Sequence, residues 1–428
     1  MLRRKFLQIA AGAAALQAVP AVAWSPAHGL RADDDAFLDE MERRGCLYFV
    51  EQAGPRNGQV LDRAMAASDG KLDPRKMASI AATGFGLSAL CIADKRGYMP
   101  HAQLLEQVQR TLRFHADRLY NNRGFFYHFN DIDTGARVAK NEVSSIDTAL
   151  LLCGVLTARA HFSDSAEVHH LATKIYERVD WPWMLNGGKT FSMGWHPESG
   201  FLSARWNHYC ELMMIYLLAL GSPTHPIDAS CWDAWDRQRM SYAGFNYIGG
   251  NDPLFVHQYS HAWFDFRGKR DKFANYFENS ATATRAHEFF CVNQGPPYSR
   301  DYWGISASDS QHGYTAWGGP STTGGSFGGV DGSVVPNATA GSLPFLPKDC
   351  LRVLRLLKQN YGAQAWGRYG FCDAFHPQAK WYDPDVLGID LGIGVLMAEN
   401  LRSSFVWETF AKNPEVGLAM QRAGFHAG

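Results

Sequence analysis

The stretch SSIDTALLLCGVLTARA, residues 144–160, decides the fold. Its apolar and small residues fall on every side of a 3.6-residue period, so as a helix it offers water no polar face and must be enclosed by protein. Three more stretches share this character: MASIAATGFGLSALCIA (77–93), ELMMIYLLALG (211–221) and GIDLGIGVLMAENL (388–401). Between them come amphipathic stretches with one face for solvent: LLEQVQRTLRFHADRLY (104–120), SAEVHHLATKIYERV (165–179), KFANYFENSATATRAHEFF (272–290) and KDCLRVLRLLKQNYG (348–362). Enclosed and half-exposed helices alternating along one chain are what a double ring of helices produces. The expected fold class is therefore all-α, a helical toroid with an inner layer inside an outer one. Short strand-like pieces such as GFFYHFN (124–130) are expected as rim hairpins. No linker separates two compositions, so residues 31–428 read as a single domain.

Composition narrows the function. The 428 residues are 46% hydrophobic, 13% aromatic and 19% charged, a globular mixture rich in rings. With 41 basic and 42 acidic side chains the net charge is -1, which gives no attraction for nucleic acid, anionic lipid or a polyanion. A neutral ligand fits better. Residues 1–30 read as a signal peptide: Arg3-Arg4-Lys5-Phe6-Leu7 precedes an Ala-rich apolar run, and Ala21-Val22-Ala23 supplies a small-x-small cleavage pattern. The paired arginines resemble a twin-arginine signal, so periplasmic export of a folded chain is expected, with no stable membrane span. The eight cysteines contain no CxxC pair, so free buried thiols are expected rather than a zinc ribbon or a redox motif.

Carboxylates beside enclosed helices need a reason, because an unpaired buried charge costs several kcal/mol. Asp131 and Asp133 follow FFYHF, Glu142 precedes SSIDTALLL, Asp147 lies in the first turn of that helix, and Glu211 heads LMMIYLLAL. Asp147 also fits a capping box with Ser144, and Asp133 fits a turn. Glu142 and Glu211 have no such local role. Paired carboxylates in a cleft divide the work of glycoside hydrolysis, one protonated as acid and one ionised as base or nucleophile.

Sugars also need rings for their C–H faces and polar partners for their hydroxyls. HQYSHAWFDFRGKRD (257–271) supplies both, and His257, Gln258, Tyr259, His261, Trp263, Asp265 and Arg267 are expected to form a binding wall. A second cluster, YWGISASDSQHGYTAWGG (302–319), adds Trp303, Ser308, Asp309, His312, Tyr314 and Trp317. A third, WHPESGFLSARWNHY (195–209), adds Trp195 and Tyr209. The Gly-rich run 318–333 is expected to be a loop over the site.

These segments, together with ELMMIYLLALGSPTHP and WYDPDVLGIDLGIGVLMAENLRS, resemble the bacterial glucoamylase-like family, which includes the endo-β-1,2-glucanases and sophorose-releasing hydrolases of glycoside hydrolase family 144. The resemblance covers nearly all of residues 35–425. It implies an (α/α)6 barrel, no metal and inverting hydrolysis of β-1,2-linked glucose; no cofactor and a monomeric protein are expected. It selects Asp131, Glu142, Asp147 and Glu211 as the catalytic set, with Glu211 as general acid and Glu142 helping to activate water. Tyr382, in WYDPD, joins the substrate-binding residues. Two departures stand out: Cys210 where relatives commonly carry Asn, and Leu391 where a Gln is common.

Two other classes remain open at this point. A polysaccharide lyase on the same toroid would want several cations for a uronate, and the clusters offer mainly Arg205 and Arg267. A non-catalytic glycan-binding protein would bind oligosaccharide without cleaving it.

Overall fold

The structure, a computed structural model, describes residues 29–250, 253–320 and 329–428. The proposed signal thus lies almost wholly outside the described residues, as does the centre of the Gly-rich run. The described chain is mainly helical: α1 Ala32–Glu51, α2 Ile80–Arg96, α3 His101–Asp117, α4 Ser145–His161, α5 Ala166–Glu177, α6 Trp181–Leu185, α7 Met213–Gly221, α8 Tyr259–Trp263, α9 Tyr276–Asn293, α10 Pro336–Ala340, α11 Pro347–Ala365, α12 Gly388–Ser403, α13 Phe405–Phe410 and α14 Pro414–Arg422. No helix among the described residues is long and apolar enough to cross a membrane.

The two kinds of helix separate as their patterns require. Helix α2 is buried without interruption from Ile80 to Ala93, and every residue of α7 is buried. Helix α4 packs on α2 and α7, and α12 packs on α2 and α8. The amphipathic helices lie outside this layer: α1 covers α12 and α2, α3 covers α2 and α5, α5 covers α4, α14 covers α7 and α11 covers α10. Small residues let the inner helices meet backbone to backbone. A Cβ at Gly154 would come 2.0 Å from the Gly84 carbonyl oxygen, so α2 and α4 touch where only glycine fits. The cysteines are all unbridged; seven are buried and Cys210 is half-buried.

The strands are short, and several lead directly into inner helices. Met77–Ser79 runs directly into α2 and pairs antiparallel with Phe129–Asp131. Val143–Ser144 leads into α4 and pairs with Gly194–His196. Asp385–Leu387 leads into α12 and pairs with Arg63–Met65, with Met65 opposite Asp385. Ser79 caps α2 by accepting from the Ala82 N–H, and Ser144 caps α4 by accepting from the Asp147 N–H. Loop pairing therefore gathers the N-termini of inner helices at one end of the molecule, with their orphan N–H groups and positive dipole ends together.

Candidate active site

Acidic side chains collect at that end. His128, in the hairpin before α4, stands between two of them: Nδ1 is 3.2 Å from Glu142 Oε1 and Nε2 is 3.4 Å from Asp147 Oδ1. Asp147 is at once cap and cluster member, because the Ser144 hydroxyl donates to its Oδ2 at 2.5 Å. Glu142 lies over Gly194, where a Cβ would stand 2.7 Å from Glu142 Cγ. The hydrogen bond from His128 holds the Glu142 carboxyl below its ordinary value despite partial burial.

A line of contacts leads on from His128. Its imidazole feels the charge of Asp62, whose Oδ2 is 3.3 Å from Arg63 Nε. Arg63 Nη1 reaches Asp309 Oδ2 at 2.6 Å. The Asp309 N–H donates to Asp373 Oδ2 at 2.8 Å, and Asp373 is hydrogen-bonded to Asp390. The Tyr259 hydroxyl lies 3.5 Å from Asp390 Oδ1 and is close enough to Glu211 to feel its charge. Glu211, at the entry to α7, is buried, and its carbonyl accepts from Ser260 Oγ at 2.7 Å. Contacts within hydrogen-bonding or charge range thus connect the mouths of α4, α12, α8 and α7.

Burial sets the protonation of the second half of this line. Asp390 is pushed up to about 7, first by burial, with the charges of Asp62 and Asp309 adding to it. Asp383 is pushed up to about 8 by burial and then by Asp373. Asp373 is also held well above the carboxylate range by burial and the facing Asp390. As carboxylates, Asp373 Oδ1 and Asp390 Oδ2 would each be buried with no donor; a proton between them supplies one. Asp309, Asp373 and Asp383 bring oxygens within 4.8 Å of one another, close enough to seat a cation. Arg63 on Asp309 and the shared proton on Asp373 already meet part of that charge.

Several expected site residues lie elsewhere. Asp131 is a turn residue: its Oδ1 accepts from the N–H groups of Asp133 and Thr134 and from the Thr134 hydroxyl. Asp133 pairs with Arg56 and Lys76. The expected wall at 257–267 is mostly core. His257, Gln258, His261 and Trp263 are at most 1% exposed, and burial drives both histidines down to about 3. Gln258 Nε2 donates to the Ala338 carbonyl and Ser342 Oγ, and the Trp263 indole N–H donates to Ser88. Only Tyr259 meets the acid line.

Asp265 and Arg267 pair with each other at 2.8 Å, with the guanidinium 4.0 Å from the Trp407 ring centroid. Arg267 also reaches Ser404, at the C-terminal end of α12. Asp390 is near the start of that helix, fourteen residues before Ser404, so roughly 21 Å at 1.5 Å rise separates the pair from the acids.

The other clusters divide. Trp303 and Ser308 are 0% exposed, and Ser308 accepts from the Trp317 indole. Tyr209 is buried beside His257, 3.2 Å from its Nδ1. Tyr314 is 53% exposed, yet Asp390, Asp373, Asp62 and Asp309 are near enough to raise its phenol, after burial. Trp195 pairs with Val143 beside Glu142, and Tyr382 stacks on Phe375 at 5.5 Å. A cleft of about 770 Å³ is lined by Asn207 and His208, just before Glu211 in the chain, and by Asp236 and Arg237. Its Trp235 ring is covered by Arg237, 3.3 Å from the centroid.

The sequence reading missed His128, Asp62, Arg63, Asp373, Asp383 and Asp390. Asp390 carried the signal used for Asp147, an acid in the first turn of an apolar helix. Asp373, in FCDAF, is a lone acid in an apolar run.

A family model for Glycoamylase, described as "Putative glucoamylase", matches residues 203–414. Over that span the chain is similar to the glucoamylase-like family. An exo β-1,2-glucooligosaccharide sophorohydrolase (non-reducing end) of Parabacteroides distasonis is 26% identical over 435 residues, covering 91% of this chain and 58% of that protein. The chain therefore spans less than two thirds of that relative's length. Among solved structures, an endo-β-1,2-glucanase of Chitinophaga pinensis in complex with sophorotriose and glucose has a TM-score of 0.84 at 26% identity, covering 93% of this chain and 99% of that one. A Bacteroides uniformis protein with the same designation as the family has a TM-score of 0.85 at 27% identity, with coverage of 93% and 99%. This glucoamylase-like chain thus matches both over nearly their whole length.

Proposed function

We propose that this glucoamylase-like protein is a glycoside hydrolase acting on β-1,2-glucan or its oligosaccharides, by an inverting mechanism, on a single-domain (α/α)6 barrel exported to the periplasm. The observation that carries this reading is the division of the carboxyl groups at one end of the inner helices. Glu142 is held ionised by His128, while Asp390, across the same end, keeps its proton to about pH 7. Glycoside hydrolysis needs that contrast, an ionised group to activate water and a protonated one to release the leaving oxygen. The neutral overall charge and the half-exposed Tyr314, Trp195 and Tyr382 rings suit an uncharged sugar chain. Two of the named relatives, the Parabacteroides distasonis sophorohydrolase and the Chitinophaga pinensis endo-glucanase, are named for β-1,2-linked glucose chains, which supports that linkage.

Glu142 is the base in this reading and Glu211 the acid, with Asp147 supporting Glu142 through His128. A second assignment is favoured by the raised Asp390 carboxyl, which would make Asp390 the acid and Glu211 its neighbour. Incubation with linear β-1,2-glucan, with the anomeric configuration of the product followed by NMR, tests the proposal. An initially inverted anomer supports it. A retained anomer would overturn the mechanism, and no cleavage of β-1,2-glucan would overturn the substrate. An aryl leaving group separates the two acids: the variant that has lost the true acid recovers turnover when the leaving group no longer needs a proton.

A further inference from the structure

His128 is held more firmly than a rim residue needs to be. Its backbone N–H donates to the Glu142 carbonyl at 3.0 Å, and its carbonyl accepts from the Ile80 N–H at 3.3 Å, which ties it to the start of α2. Its ring stacks on Phe129, with centroids 3.8 Å apart and planes 16° from parallel. Both ring nitrogens then face carboxylates, Nδ1 hydrogen-bonded to Glu142 and Nε2 within ion-pair distance of Asp147. A neutral imidazole carries a proton on one nitrogen only, so only the doubly protonated ring can donate to two carboxylates at once.

We propose that His128 is a positioning residue whose imidazolium clamps Glu142 to Asp147 and so fixes the orientation and charge of the Glu142 carboxylate. The proposal rests on the reading of Glu142 as the base. Four titratable groups bear on the clamp. Asp147 faces it from the first turn of α4, Glu142 from the segment before that helix, and Asp62 from the segment before Arg63. His196, on the strand beside Glu142, acts on the Glu142 carboxylate. Burial alone would lower the imidazole, but Asp147, Glu142 and Asp62 together hold it above its ordinary value. The clamp is therefore closed below the ordinary histidine value and opens as pH rises through the raised one.

The test is His128→Gln, which keeps one hydrogen bond and removes the charge. With the clamp gone, Glu142 protonates at higher pH, so the acidic limb of the kcat/KM profile on β-1,2-gluco-oligosaccharide moves toward neutrality by about one unit. Turnover falls about 10- to 100-fold with KM changed less than about threefold. A fall in melting temperature with an unmoved limb would make His128 structural and overturn the proposal. NMR titration of the His128 Cε1–H reads the clamp without any substrate. It should titrate above about 6.5, the value of a free histidine, and drop in Glu142→Gln. A free-histidine value in an enzyme that cleaves glucan overturns the clamp alone. A raised value in a protein that cleaves none supports the clamp and overturns the hydrolase reading.

Discussion

Arg63 and Asp309, 246 residues apart in the chain, meet at 2.6 Å beside the acid line, and Arg63 is also 3.3 Å from Asp62. One guanidinium thus serves two largely buried carboxylates whose further neighbours are Asp373 and Asp390. Removing one member of such a pair strands the other without compensation. Arg63→Met should cost about 2–3 kcal/mol in urea unfolding, less than the roughly 3–5 kcal/mol for fully buried pairs because the arginine is partly exposed. Arg63→Met with Asp309→Asn should recover at least half of that loss. A double variant no more stable than the single one would show that the pair is not coupled.

The raised carboxyls give stability a direction with pH. Asp383 is held near 8 in the folded protein, whereas an unfolded aspartate ionises near 4. The folded state therefore keeps a proton that the unfolded state has lost. The stability associated with this group is full below about pH 4 and falls as pH rises toward 8. Asp390, near 7, adds in the same sense. Asp383→Asn can keep the acceptor that meets the Asp385 N–H while removing the buried charge. It should raise the melting temperature at pH 8 more than at pH 5, by several degrees, roughly 1–2 kcal/mol. An equal shift at both pH values would mean that Asp383 is ionised throughout.

The double-layer pattern was legible because it depends on composition around a helix. Helices α2, α4, α7 and α12 are buried where the sequence lacks a polar face. The acids at Glu142, Asp147 and Glu211 were legible for the related reason that a charge entering an apolar helix needs a partner. The wall at 257–267 was misread because composition alone cannot tell a ring facing a sugar from a ring facing the core. Trp263 and Gln258 find their hydrogen-bond partners within the protein. Arg63, Asp309 and Asp373 were not joined by sequence, because a pairing across 246 residues leaves no local signature.

That misreading has its own test in Trp263. A tryptophan stacked on a sugar is felt in KM, whereas a core tryptophan is felt in stability. Trp263 is 0% exposed, lies 4.9 Å from the Phe85 ring centroid and hydrogen-bonds Ser88. Trp263→Phe should lower stability by about 1–3 kcal/mol with KM for gluco-oligosaccharides unchanged. A KM raised tenfold at unchanged stability would restore it to the binding surface.

The closest approach of the inner helices supplies the last prediction. Gly84 and Gly154 face each other across α2 and α4, and added Cβ atoms would lie 2.2 Å from the Leu150 carbonyl oxygen and 2.0 Å from the Gly84 carbonyl oxygen. Both obstacles are backbone, so no side chain can swing aside. Gly97, the left-handed C-cap of α2, has nothing within 4 Å of an added Cβ and is strained only by its φ of 68°. Gly154→Ala must therefore push two helices apart, costing about 2–3 kcal/mol or more. Gly97→Ala should cost only about 1 kcal/mol. Because α4 carries Asp147 and α2 begins at the Ile80 contact with His128, Gly154→Ala should also lower kcat at temperatures where the protein remains folded, and Gly97→Ala should not. Thermal unfolding and steady-state kinetics on both variants would separate a packing contact that positions the site from a glycine that only ends a helix.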